Sequence, residues 1–193
     1  DPFKYGPIDF RLNDTTRAEF VLSNYYAYDD GAGEYGAGLN QPGAQLAYLF
    51  QIKTDQPDTL IGVDLYFPKF GDETSQVIQL LVFGDNSGFP GSILYSESVN
   101  LQRSGKDKFW RHAFTNEVGV KGSFYLGWKQ SSAAIIALGF DKNTDSGDKI
   151  FFNTNGVWEK NLSEKGSLMI RPIFGEADVN DTNTGLEDVT DLW

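Results

Sequence analysis

Residues 59–67 read "TLIGVDLYF", and the fold class turns on the period of their apolar positions. Ile61, Val63, Leu65 and Phe67 fall on alternate residues, so an extended chain carries all four on one face. That pattern describes a half-buried strand. Upstream, across the polar "KTDQPD", lies "AQLAYLFQI" (44–52); downstream, "QVIQLLVFG" (76–84) is a nearly continuous apolar run that suits a central strand. "DNSGFPG" (85–91) then breaks the chain sharply.

The stretches "SILYSESV" (92–99), "FWRHAFT" (109–115), "SFYLGWKQ" (123–130) and "AAIIALGF" (133–140) follow at intervals near the spacing of about 8 to 12 residues found in sandwiches. In "SFYLGWKQ" the inward set is Phe124, Leu126 and Trp128. Asn155-Gly156, between two short apolar runs, predicts a type I′ hairpin, and "GSLMIRPIF" (166–174) reads as a closing strand. No window sustains helical periodicity. The expected fold is all-β, a two-sheet antiparallel β-sandwich with a jelly-roll-like order. Its predicted core comprises Leu46, Tyr48, Phe50, Ile61, Val63, Leu65, Phe67, Leu81, Phe83, Phe124, Leu126, Trp128, Ile136, Leu138 and Phe140.

Composition fits this class. Aromatics make up 15% of the 193 residues and glycine contributes 21, which favours strands joined by turns. The length suits one domain with tails: a β-sandwich over 25–175, an N-terminal segment or edge strand over 1–24 containing "PIDFRLNDTT", and an acidic linker or tail over 176–193. A formal net charge of −11, with no basic patch read in the sequence, makes nucleic acid a poor partner. No cysteine is present, which excludes a disulfide framework, a thiolate metal site and a cysteine nucleophile. No apolar run approaches the roughly 18 residues of a membrane-spanning helix.

Gly31, Gly33 and Gly36 in "YYAYDDGAGEYGAGL" (25–39) match the spacing of a dinucleotide loop. Such a loop needs a helix after its last glycine, yet Gly38 and Pro42 follow, and Asp29 and Asp30 would face the phosphates. The acidic alternative is a calcium loop built from Asp29, Asp30 and Glu34. A second cation candidate is "DKNTDSGD", with Asp141, Asn143, Asp145 and Asp148. It is not an EF-hand, because Ser146 stands in place of the required glycine and Phe152 in place of the final glutamate. Asp, Asn and Gly also dominate ordinary turns, and that reading weighs more for both loops. Asp29 and Asp30 still need a partner wherever they are desolvated. Calcium would supply one; backbone N–H groups of the glycine turn and tyrosine hydroxyls would supply another.

The single His112 has no second histidine and no G-x-S-x-G serine beside it, so no hydrolase triad is legible. Carboxylate pairs of the glycosidase kind leave no spacing rule in a sequence. Trp158, just past the hairpin turn, and Trp110 are the candidates for stacking on a sugar ring, with Trp128 assigned to the core.

The ordered set "YYAYDDGAGEYG", "LAYLF", "TLIGVDLYF", "DNSGFPGSILY", "FYLGWKQ", "LGFDKN" and "GSLMIRPIFG" resembles a β-sandwich accessory module of secreted and cell-surface bacterial proteins exported by the type IX secretion system. The resemblance spans residues 25–175 and departs from the usual pattern at Gly33, where alanine is more common. It implies an extracellular or cell-surface setting and no catalytic residue. The acidic stretch after Gly175 then resembles a linker to a sorting domain. The expected function is non-catalytic: adhesion, spacing or presentation, with neighbouring domains of the same chain, a polysaccharide or a surface protein as partner. The alternative is a carbohydrate-binding module with a structural calcium ion.

Overall fold

Each of these apolar stretches forms a strand in the computed structural model, which describes residues 25–53, 55–69 and 75–175. The expectations for 1–24 and 176–193 lie outside the described residues. In chain order the strands are β1 (Tyr35–Leu39), β2 (Gln45–Gln51), β3 (Asp58–Leu65), β4 (Val77–Asn86), β5 (Phe89–Asn100) and β6 (Trp110–Val120). They continue as β7 (Ser123–Gln130), β8 (Ile136–Asp141), β9 (Ile150–Asn153), β10 (Glu159–Lys160), β11 (Ser167–Leu168) and β12 (Ile170–Phe174). A single 3-10 turn at Gly147–Lys149 is the only helical element among the described residues.

One layer of the sandwich is a six-stranded antiparallel sheet in the order β10-β9-β2-β7-β4-β5. Facing it are two three-stranded antiparallel sheets, β1-β8-β11 and β12-β3-β6. Their backbones meet at one point. Gly139 N–H donates to the Tyr66 carbonyl (2.7 Å), Tyr66 N–H to the Met169 carbonyl (3.1 Å), and Met169 N–H to the Gly139 carbonyl (2.9 Å).

Alternation places the core between the layers. Leu46, Tyr48 and Phe50 of β2 pair in register with Trp128, Leu126 and Phe124 of β7, and all six are buried. Ile136, Leu138 and Phe140 of β8 enter the same cluster from the opposite layer. All fifteen predicted core residues are buried, but not all face this space. In the β12–β3 ladder the consecutive residues Ile173 and Phe174 pair with Gly62 and Leu60, so a bulge at Ile61 reverses the alternation and Leu60 takes the inward place.

Leu81 and Phe83 point to the outer side of the six-stranded sheet, where they join Ala47, Tyr125 and Phe151 in a second cluster. Ile78, Leu80 and Val82 fill the main core from the same strand, which explains why "QVIQLLVFG" lacks alternation. Trp158 covers the second cluster, edge-on to Phe83 at 5.3 Å.

The type I′ turn falls at a different place from the expected one. Ser87 and Gly88, with φ of 55° and 87°, link β4 to β5, and positive φ at both central residues is the type I′ signature. The β9–β10 hairpin also forms, pairing Phe152 with Glu159, but Gly156 alone has positive φ there. Its longer loop is held by Asn153 Oδ1, which accepts from Gly156 N–H (2.8 Å), and that length lets Trp158 fold onto Phe83.

Candidate functional site

The chain brings together at one end of the sandwich the two acidic loops read separately in the sequence. The Asp30 N–H donates to Asp141 Oδ2 (2.9 Å), while Asn143 Nδ2 donates to both Asp30 Oδ2 (3.0 Å) and Glu34 Oε1 (3.1 Å). Glu34 Oε2 accepts from the Lys142 N–H at 2.9 Å. Asp141 also accepts from the N–H groups of Asn143 and Thr144 and from the Thr144 hydroxyl. Burial pushes its carboxyl up, but these donors outweigh burial and hold it below the usual carboxylate range. Asp145 accepts from Gly147 N–H and Gly166 N–H, and its carboxyl is held low for that reason. Asp148 stands apart, exposed, with only Lys149 at 3.5 Å.

Asp29 finds a partner that the sequence reading did not name. Its side chain is fully buried and accepts from Arg171 Nε (3.2 Å), Arg171 Nη2 (2.5 Å) and Gly31 N–H (3.0 Å). No tyrosine hydroxyl takes part in these contacts. Arg171 lies over the rings of Phe109 (4.1 Å) and Tyr25 (5.0 Å), which fixes the 25–34 loop against the sandwich. As arranged, these oxygens accept hydrogen bonds, and no group of three His, Cys, Asp or Glu side chains is placed to hold a metal ion among the described residues. The glycines of "GAGEYG" serve the turn and its packing: Gly31 has a φ of 93°, a Cβ on Gly33 would lie 2.8 Å from Met169 Sδ, and Gly36 sits in strand β1 instead of opening a helix.

The second feature is the seam where β5 and β6, edge strands of opposite layers, face each other. Tyr95 stacks on Phe114 at 4.6 Å. Next along the seam, Glu97 Oε2 meets His112 Nε2 (2.9 Å) and the Tyr95 hydroxyl (2.6 Å), while Glu97 Oε1 accepts from the Thr115 hydroxyl (2.6 Å). Burial pushes the Glu97 carboxyl up, but the bonds from His112, Thr115 and Tyr95 prevail and bring it down to about 2.

Beyond Glu97 the seam opens into a cleft of about 700 Å³ lined by Asn100, Arg103, Phe109, Trp110 and His112 among others. Trp110 is half-buried and leans on His112 (5.5 Å) and Phe67 (6.4 Å), so its ring forms a wall of the cleft backed by the core. The loop from β5 to β6 holds that wall in place. Asp107 Oδ1 accepts from Gly33 N–H at 3.0 Å, and the Ser104 hydroxyl donates to the Lys108 carbonyl.

Comparison with family models, curated proteins and solved structures gave no match to this chain. The chemistry of the site must therefore be read from its own residues. Of the two stacking candidates, Trp110 reaches the cleft and Trp158 does not, because Trp158 packs on the outer face of the other layer. They form no common platform. A second cleft of about 650 Å³ lies at the opposite seam, lined by Tyr35, Leu39, Phe140 and Phe152 among others.

Glu97 and Arg103 went unread in the sequence analysis. The missed signal is "RSGKDKFWRH" (103–112), which carries Arg103, Lys106, Lys108 and Arg111 against the single Asp107 in an otherwise acidic chain.

Proposed function

We propose that the chain is a non-catalytic β-sandwich module of an extracellular or cell-surface bacterial protein, serving adhesion or presentation by holding a saccharide in the β5–β6 cleft. The observation that carries this reading is the geometry of the cleft wall, where both oxygens of the one lining carboxylate are engaged by neighbouring side chains. Glycoside hydrolysis needs one protonated acid and one free base or nucleophile. Glu97, with its carboxyl at about 2, is ionised at neutral pH, and both its oxygens are engaged by His112, Tyr95 and Thr115. It organises the wall, and among the described residues lining the cleft there is no second carboxylate to pair with it.

The flat ring of Trp110 beside the polar Ser98, Asn100 and Gln102 supports a sugar as ligand, since a pyranose offers an apolar face and a hydroxylated edge. The jelly-roll-like winding proposed for these two layers belongs to an architecture that includes lectins. That is an analogy of architecture, and function still rests on the site. The resemblance to type IX-exported modules supports the extracellular setting. The calcium form of the carbohydrate-binding reading draws no support from the apposed acidic loops, whose oxygens already accept hydrogen bonds.

The test is electrophoresis through native gels containing a panel of soluble polysaccharides, with a parallel assay for new reducing ends. At least one polymer should retard the protein without being cleaved, and Trp110→Ala should lose the retardation. Release of reducing ends would make the chain an enzyme and end this reading.

A further inference from the structure

Three arginines lie among the described residues, and two of them hold carboxylates. Arg111 grips Asp64 through two bonds of 3.0 Å, and Arg171 grips Asp29. Arg103 differs. Among the described residues its guanidinium reaches only the Pro68 carbonyl and Gln76 Oε1, each at 3.4 Å, and its Nε is buried with no hydrogen-bond partner there. Resting on the saccharide-binding reading, we propose that the cleft is selective for an acidic saccharide, whose anionic substituent sits on Arg103 while its ring lies against Trp110.

The physical reason is an unmet demand beside an aromatic wall. A guanidinium N–H withdrawn from water without a partner is costly, and two bonds at the outer limit of hydrogen-bond length restore little of that cost. A carboxylate or sulfate supplies paired oxygens that match the planar fork of the guanidinium.

Local charge favours the same ligand. The formal net charge is −11, yet the loop forming the mouth of the cleft carries Lys106 and Lys108, both exposed, close to Arg103. Its one acid, Asp107, is turned to Gly33 N–H at 3.0 Å and to Lys106 at 4.0 Å. Glu97, the carboxylate in the wall, is already bound by Tyr95 of its own strand and by His112 and Thr115 across the seam. Among the described residues the cleft and its loop thus carry the cations Arg103, Lys106 and Lys108 against two carboxylates that are already engaged, a balance that favours an anionic ligand.

The experiment measures binding of the full chain to polygalacturonate, dextran sulfate, neutral dextran and single-stranded DNA, by retardation in native gels and by calorimetric titration. Binding to polygalacturonate or dextran sulfate over dextran is expected, and the comparison of these two identifies carboxylate or sulfate as the group recognised. Arg103→Met should weaken that binding about tenfold or more with the melting temperature preserved. Arg103→Gln, which keeps a donor for the Pro68 carbonyl, provides the same test if the Met variant folds poorly. Equal binding to dextran that depends on Trp110 and not on Arg103 would overturn the acidic selectivity while leaving the saccharide reading intact. Retention by DNA alone would replace the sugar with a phosphate backbone, and no retention by any polymer would overturn both readings. Cleavage of a bound acidic polymer would overturn the non-catalytic reading alone.

Discussion

Replacing Arg171 by methionine removes the cation that holds Asp29 while keeping most of the apolar stem. Asp29 is fully buried at its side chain and Arg171 is only 13% exposed, so water can replace little of the lost interaction. The carboxylate would be left with Gly31 N–H as its remaining donor from the present set. Breaking one side of a buried ion pair costs about 3 to 5 kcal/mol. The loss of the guanidinium above Phe109 and Tyr25 adds about 0.5 to 2 kcal/mol, part of which the methionine stem recovers. For a domain of this size the pair term alone lowers the melting temperature by roughly 6 to 20 °C.

Scanning calorimetry of Arg171→Met measures that shift directly. The double variant Arg171→Met/Asp29→Leu should regain most of it, because an apolar pair of similar volume replaces a buried ion pair at little cost. A shift below about 2 °C for the single variant, or a double variant no more stable than the single, would refute the reasoning. The same instrument separates a calcium loop from a hydrogen-bonded one: melting curves in calcium and in chelator should coincide for the parent chain.

Glu97 sets an acid limb. Its folded carboxyl, at about 2, lies below the ordinary value of 4.5, so its contribution is complete above that value and is lost as pH falls from there through 2. The contribution amounts to at most about 3 kcal/mol, and Glu97→Gln should flatten the stability profile in that window; parallel profiles for the two proteins would show that the seam bonds add nothing. Trp128→Ala, at a fully buried position between β2 and β4, should cost about 3 to 5 kcal/mol in denaturant unfolding, and an unchanged midpoint would contradict its place in the core. Gly33→Ala brings a methyl group within 2.8 Å of Met169 Sδ and 3.1 Å of the Tyr66 ring, so it should destabilise by about 1 to 3 kcal/mol, whereas a neutral result would mean that the 25–34 loop yields freely.

The strands were legible because burial on one face writes a period of two into the residues, as in Leu46, Tyr48 and Phe50 or Phe124, Leu126 and Trp128. Ile61 misled because a bulge shifts the phase of a strand without changing its composition. The outward burial of Leu81 and Phe83 stayed hidden because one continuous apolar run does not say which neighbour covers each face. At the acidic loops the turn N–H donors were legible, as Gly31 N–H on Asp29 shows, but the partners distant in sequence were not. Asp29 meets Arg171 across 142 positions, and no local spacing rule encodes such a distance. The cleft was less legible still: Glu97 and His112 lie on strands of different layers, and only the closing of the seam sets them together.

The strand pair β11–β12 has a consequence for the order in which the molecule is assembled. Among the described residues, the β1–β8 and β3–β6 pairs share one backbone bond, from Gly139 to Tyr66, until residues 167–174 lie along both. Those residues follow every other described strand in chain order. Until they emerge, the layer exists as two hairpin-like halves whose unpaired edges β3 and β8 stay open to other chains. Closure of this layer thus waits on residues 167–174, and such long-range pairing belongs to topologies that fold slowly.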